Sequence, residues 1–331
     1  GGPGGDITIA MDAKTLTLSG EPARLADDVT YDGGNGQGNF SSSLDGALAY
    51  FQNPAAAGGS AQSDLSEWHL AWFGRTGPTV DTPGPPGIYR GVEVSPADPK
   101  RIAVHKHEKT GGDIWIVEPT GAETRLTWDA SQHNASPIWS PDGRSVAFSS
   151  TRNGKVGLYQ KLADGSGADE LLFESDVPKA PMSWSPDGKF IVFGVEDAKT
   201  GADLWLLTLA DKKAAPFIAT PHTETHAQIS PDGKWIAYAS DSVGGRREIH
   251  VHGFPSGAGH WQPSDAGGDW PRWRKDGKEL FFHSIGTNSN PTVAITSPYS
   301  ALYSVTVTVN GAAFVPGAPA AVLQFRALSN P

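Results

Sequence analysis

A short turn motif recurs along this chain at an almost fixed interval, and that interval limits the fold more than any other feature. Ser-Pro-Asp-Gly occurs at Ser140 to Gly143, Ser185 to Gly188 and Ser230 to Gly233. A weaker copy follows at Arg274 to Gly277, and degenerate copies precede at Ser95 to Asp98 and Ser43 to Gly46. The aspartates at 98, 142, 187, 232 and 276 are 44, 45, 45 and 44 residues apart, while Asp45 lies 53 before Asp98, an excess that fits a longer loop near residues 53–66. A period of about 40–45 residues is that of one four-stranded propeller blade.

Each repeat carries the chemistry such a blade needs. Ser at the first position, Pro at the second and Gly at the fourth fit a type I turn, in which Pro presets φ and Gly relieves the exit. An apolar residue stands just before the turn: Val94, Trp139, Trp184, Ile229 or Trp273. A period-two strand follows it, read at Ile102/Val104, Val146/Phe148, Ile191/Phe193, Ile236/Tyr238 and Leu280/Phe282. That alternation turns one face of each strand toward a core between blades. Third strands are expected at Ile114-Trp115, Leu158-Tyr159, Leu204-Trp205, Ile249-His250 and Leu302-Tyr303. Fourth strands are expected at Thr124 to Thr127, Leu171 to Phe173, Phe217 to Ala219 and Val322 to Phe325. Gly 40, Pro 26 and only 19% charged residues suit many short strands joined by tight turns.

The expected fold is therefore all-β, a β-propeller of four-stranded antiparallel blades filling residues 1–331 as one domain. Six anchors predict six blades, near 37–87, 88–130, 131–176, 177–222, 223–266 and 267–326. Residues 6–26 are left to supply ring-closing strands, or to form half of a seventh blade.

The repeats resemble the TolB-type propeller, a relative of the WD-repeat family. The match rests on Trp139-Ser-Pro-Asp-Gly-Arg144 and Trp184-Ser-Pro-Asp-Gly-Lys189, with Ser230 to Lys234 differing only in the Ile229 before it. The run from Trp270 to Phe282, with Asp113-Ile-Trp-Ile and Glu170 to Glu174, also looks like propellers fused behind bacterial serine/threonine kinase domains, especially acidobacterial ones. That resemblance implies an extracytoplasmic sensing or interaction module, periplasmic or extracellular, and a place within a longer chain. No kinase Gly-rich loop, His-Arg-Asp loop or Asp-Phe-Gly occurs, so any kinase lies outside this sequence. The opening Gly-Gly-Pro-Gly-Gly, without Met or signal peptide, reads as that of a processed or excised fragment. His250 and His252 depart from the aromatic and basic residues usual there.

Composition narrows the functions. Net charge is −10 and no Lys/Arg stripe exists, which argues against nucleic acid as a partner. Cysteines are absent, which excludes disulfides, thiolate metal sites and a Cys nucleophile. No stretch of about 18 apolar residues is present to span a membrane as a helix. The Gly-x-Ser-x-Gly elbow of α/β-hydrolases is missing.

Propellers place ligands at the mouth of the central channel, where the inner strands begin. Counting back from each turn points to Arg90, His133, Asn134, Lys179, Glu224, His226, Asp269 and Trp270 as ligand-binding candidates. Carboxylates and amides suit a small polar or sugar ligand and Trp270 suits stacking, the alternative being a water-filled channel with no specific ligand. Glu224 and Asp269 are the carboxylates that a glycoside hydrolase or polysaccharide lyase would use. His222, Glu224 and His226, at i, i+2 and i+4, share one face of an extended strand and form a candidate site for a divalent cation. His250 sits in the slot of Trp115, Tyr159 and Trp205 and is read as a packing ring, while His105 and His107 are read as an exposed polar strand end. The expected function is a non-catalytic propeller that binds a ligand or protein, with the carbohydrate-active enzyme as the alternative.

Overall fold

The computed structural model describes residues 83–108, 111–128, 133–285, 299–310 and 313–327, together with the strands named below that precede residue 83. The expected ring-closing strands of residues 6–26, the turn at Ser43 to Gly46 and the loop near 53–66 lie wholly or partly outside the described residues.

Near the start, β1 (Ala10–Met11) and β2 (Leu18–Ser19) form a two-stranded ribbon, followed by β3 (Arg24–Val29), β4 (Phe40–Ser42), β5 (Leu48–Gln52), β6 (His69–Gly74) and β7 (Gly77–Asp81). Three four-stranded antiparallel sheets come next. They are β8 (Tyr89–Val94), β9 (Ile102–Glu108), β10 (Gly111–Val117) and β11 (Glu123–Arg125); β12 (Asn134–Trp139), β13 (Ser145–Ser150), β14 (Val156–Leu162) and β15 (Glu170–Ser175); and β16 (Lys179–Trp184), β17 (Phe190–Asp197), β18 (Gly201–Thr208) and β19 (Lys213–Ile218). A sheet of β20 (Glu224–Ile229), β21 (Trp235–Val243) and β22 (Arg246–Gly253) is extended by a single bridge from Val251 to Trp261. The last strands are β23 (Asp269–Trp273), β24 (Glu279–Ile285), β25 (Tyr299–Asn310), β26 (Ala313–Pro316) and β27 (Ala320–Ala327). Strand β27 runs parallel beside β3, so strands from near the two ends share one sheet with β5–β7.

The repeated turn is closed by its own side chains. Gly143, Gly188, Gly233 and Gly277 donate their N–H to the carbonyl three residues back at 2.9 Å, and all sit at φ of 68–74°. Such a φ is why the fourth position is Gly. Ser140, Ser185 and Ser230 donate their hydroxyls to the turn aspartates at 2.6–2.7 Å and accept the N–H five residues on at 2.9–3.0 Å. These serine hydrogen bonds, helped by the backbone N–H two residues on, hold the Asp142 and Asp187 carboxyls below the usual range. The Ser and Asp are spent on structure, and the turn carries no site of its own.

Apolar packing runs between successive sheets. Ile114, Ile116 and Leu126 of one repeat interdigitate with Trp139, Val146, Phe148 and Tyr159 of the next. Ala147 points the other way, joining Ile138, Leu158 and Leu172 against Ile191, Phe193 and Leu207. Neighbouring residues of one strand therefore serve two cores, as a strand's two-residue period requires. The tryptophans before the turns tie the sheets together: Trp139 Nε1 donates to the Glu93 carbonyl (2.9 Å) and Trp273 Nε1 to that of Gln228 (3.1 Å). Among the described residues, no helix is long and apolar enough to cross a membrane.

Phe148 is fully buried between two sheets. Phe148→Ala should cost about 3–5 kcal/mol of stability, read as a lowered urea midpoint with unchanged far-ultraviolet circular dichroism at zero denaturant.

Candidate functional site

The first strand of each repeat is innermost: β8, β12, β16, β20 and β23 touch one another in succession. All five carry a bulge, between Tyr89 and Val92, Ala135 and Ile138, Pro181 and Ser183, Thr225 and Gln228, and Asp269 and Arg272. A bulge re-aims the side chains around it. At three of these bulges a residue other than glycine takes positive φ: Ser136 (57°), His226 (55°) and Trp270 (49°). Left-handed backbone at such residues costs on the order of 1–3 kcal/mol and persists where the surroundings enforce it.

Asn134, Lys179, Glu224 and Asp269 are the first residues of their strands, as the counting from the turns expects. Each meets a partner close by. Asn134 donates to Asp113 (2.9 Å), which also takes the Thr127 hydroxyl (2.5 Å) and the Arg125 guanidinium. Lys179 Nζ caps the carbonyls of Val156, Ser175 and Val177 at 2.5, 3.1 and 2.6 Å. Glu224 is held by the Thr220 hydroxyl and N–H, and burial pushes its carboxyl up. Trp270 packs between His226 and His283, at ring-centre distances of 5.0 and 5.5 Å. These side chains are buried, whereas Arg90 and His133 are partly exposed.

The strongest charge network joins the last two repeats. Asp269 accepts from His226 Nδ1 (2.5 Å), Arg247 (2.8 Å) and the Trp270 N–H (2.9 Å). Burial opposes ionisation of Asp269, yet His226 and Arg247 outweigh it and hold the carboxyl at about 2. Burial lowers the His226 imidazole against the opposing pull of Asp269, and its Nε2 is buried without a hydrogen-bond partner. Arg272 pairs with Glu93 of β8 at 2.9 Å, linking inner strands 179 residues apart.

The three residues read as a cation site face separate partners. His226 engages Asp269, Glu224 engages Thr220, and His222 lies 3.8 Å from Asp241. A different histidine group converges. His105 is buried rather than an exposed strand end, because Gly112 beside it leaves room for the imidazole: a Cβ there would stand 2.1 Å from His105 Nε2. Gly112 also bridges to His133 at the entry to the next sheet, which brings His133 Nε2 to 3.1 Å from His105 Nε2. The paired Gly111-Gly112 opposite His-x-His was the available sequence signal. His250 fills the aromatic slot as expected, stacked on Tyr238 just as Tyr159 stacks on Phe148.

Residues 86–200 match the family model described as TolB beta propeller domain. The chain is an all-β propeller, and this stretch of it is similar to the TolB type. Over 147 residues it is 29% identical to the Tol-Pal system protein TolB of Nitratidesulfovibrio vulgaris, a match covering 44% of this chain and 32% of that protein. The chain thus spans about a third of that relative's length. Among solved structures, TolB from Acinetobacter baumannii aligns with a TM-score of 0.60 at 18% identity, covering 87% of this chain and 68% of that one. Oligogalacturonate lyase from Vibrio parahaemolyticus aligns with a TM-score of 0.56 at 14% identity, covering 95% and 86%. At these identities the structural likeness speaks for the fold alone.

Acid should loosen this propeller from within. Burial lowers His283 and His250 each to about 4. Below about pH 6.5 the unfolded chain binds protons that the folded chain refuses, so stability falls as pH drops toward 4. His283 alone accounts for roughly 3 kcal/mol at the low end. Urea midpoints at pH 7 and pH 4.5 should differ less in His283→Phe than in the unmodified protein, and equal differences would remove His283 from the account.

Proposed function

We propose that this propeller is a non-catalytic interaction module that recognises a protein partner at the rim where the inner strands begin. The observation that carries the reading is Trp128, which is 73% exposed in the connection from β11 to β12. An exposed tryptophan is costly to leave in water and is the residue type most often found at the energetic centre of an interface. Its setting is rigid. Arg125 lies 5.3 Å from the ring centre and is itself fixed by Asp113 and by the Thr127 carbonyl (2.9 Å). Arg90 and His133, both partly exposed, flank the same end of the strands and extend the polar border of the patch. The likeness to Tol-Pal TolB is consistent with a binding role.

The module works outside the cytoplasm, periplasmic or extracellular, as the sensing or docking part of an envelope signalling protein whose catalytic portion, a kinase by the motif resemblance, lies beyond this sequence. A small polar or sugar ligand at the channel mouth is the second reading. The burial of Glu224, with its carboxyl pushed up toward holding a proton, is what would favour acid chemistry on such a ligand.

Both readings meet one screen of immobilised propeller against envelope proteins and acidic oligosaccharides. Trp128→Ala should weaken binding of the protein partner by about 30-fold, matching the ~2 kcal/mol of a tryptophan hot spot, and leave the thermal midpoint unchanged. Binding indifferent to Trp128→Ala removes this rim as the docking surface. Turnover of an oligosaccharide that is lost in Glu224→Gln replaces the reading with an enzyme.

A further inference from the structure

We propose that His105, His107 and His133 form a transition-metal site, best suited to Zn2+, at the junction between the sheet β8–β11 and the sheet β12–β15. One nitrogen from each ring lies within 4.8 Å of the other two, and no other group of three histidine or acidic side chains among the described residues converges in this way. The 3.1 Å between His105 Nε2 and His133 Nε2 is close to the separation of two imidazoles sharing one ion, since metal–nitrogen bonds of about 2.0–2.1 Å at tetrahedral angles put ligands a little over 3 Å apart.

The fold sets this geometry from three directions. His105 and His107 are two apart on β9, so both turn to one face, while Lys106 between them turns to the other and pairs with Glu123 at 2.6 Å. His133 arrives from the next repeat, held by its bridge to Gly112 and by its N–H to the Thr151 hydroxyl (3.0 Å). Gly112 admits the His105 ring, and a backbone hydrogen bond with Arg90 steadies that ring, the outer support that metal-binding imidazoles commonly have. His107 Nδ1 is buried with no hydrogen-bond partner.

The chemistry fits a borderline cation. Three neutral imidazoles without thiolates suit zinc, copper or nickel over magnesium or calcium, which want oxygen. Arg90 adds positive charge near all three, and Asp113 adds negative charge near His133. The guanidinium makes an anion, hydroxide or carboxylate, the fitting fourth ligand. His107 and His133 are only partly buried, so the fourth position reaches the rim.

Metal-stripped protein titrated with ZnCl2 by calorimetry, and with CoCl2 by visible absorption, tests the site. One equivalent of each metal should bind, with a ligand-field band for Co2+. His133→Ala and His107→Ala should each weaken binding about tenfold or more, at least the loss seen when a supporting group is removed, with unchanged circular dichroism. Gly112→Ala should weaken it as well, by displacing His105. His222→Ala and His252→Ala should bind as the unmodified protein does. No binding at millimolar metal, binding that survives both His133→Ala and His107→Ala, or binding lost instead in His222→Ala overturns the assignment.

Discussion

Packing between successive sheets is the interaction on which everything else here rests. Among the described residues the sheet β12–β15 shares both its cores with neighbours: Val146 and Phe148 are buried against the preceding repeat and Ala147 against the following one. The hydrophobic contribution, about 25 cal/mol for each Å² of apolar surface removed from water, is realised only when neighbours are in place. This explains why the repeat interval is so regular, since a changed strand length would move its apolar residues off both faces at once. It also explains where polarity concentrates. With both faces of each sheet apolar, buried polar groups gather at strand ends and in the connections between sheets.

Those connections are where this propeller is individual. Asp113 and Glu248 each stand third in the third strands of their repeats, β10 and β22, and bind residues further along that lead to the next repeat, Asp113 to Thr127 and Glu248 to Ser264 (2.5 Å). In both repeats the hydroxyl then accepts the next backbone N–H, from Ile114 or Ile249. Buried acceptors left without donors would each cost on the order of 1–3 kcal/mol, so Thr127 and Ser264 are pinned in place. Thr127 held in this way positions the exposed Trp128 next to it, at the junction where three imidazoles come within reach of one another.

The turns were legible in the sequence because Ser, Asp and Gly act there on their own backbone within five residues, and such information is local. The strands after the turns were legible because Val146 and Phe148 alternate with smaller residues. Counting back from the turns also found the start of four of the five inner strands, at Asn134, Lys179, Glu224 and Asp269. What the sequence withheld was the partner of each side chain. Lys179 reads as a ligand-binding candidate, and its ammonium caps three carbonyls, of Val156 in β14, Ser175 at the end of β15 and Val177 just beyond it. His105 reads as exposed and is buried, since its surroundings depend on a glycine across the hairpin and a histidine of the following repeat, 28 residues on. His250 was legible because its slot is aromatic in the sister repeats, so comparison within the chain supplied the tertiary context.

The parallel seating of β3 beside β27 has a consequence for how the molecule fails. In a chain without cysteine, this backbone ladder is a clasp between segments almost three hundred residues apart, with no disulfide to lock it. When it opens, two sheet edges are bared together, one from each side, and each is a template for the opposite edge of another molecule. Copies opened this way would join head to tail in chains, or close as swapped pairs. Crowding and mild heat would therefore favour assembly over simple unfolding, with the individual sheets still intact inside the aggregate.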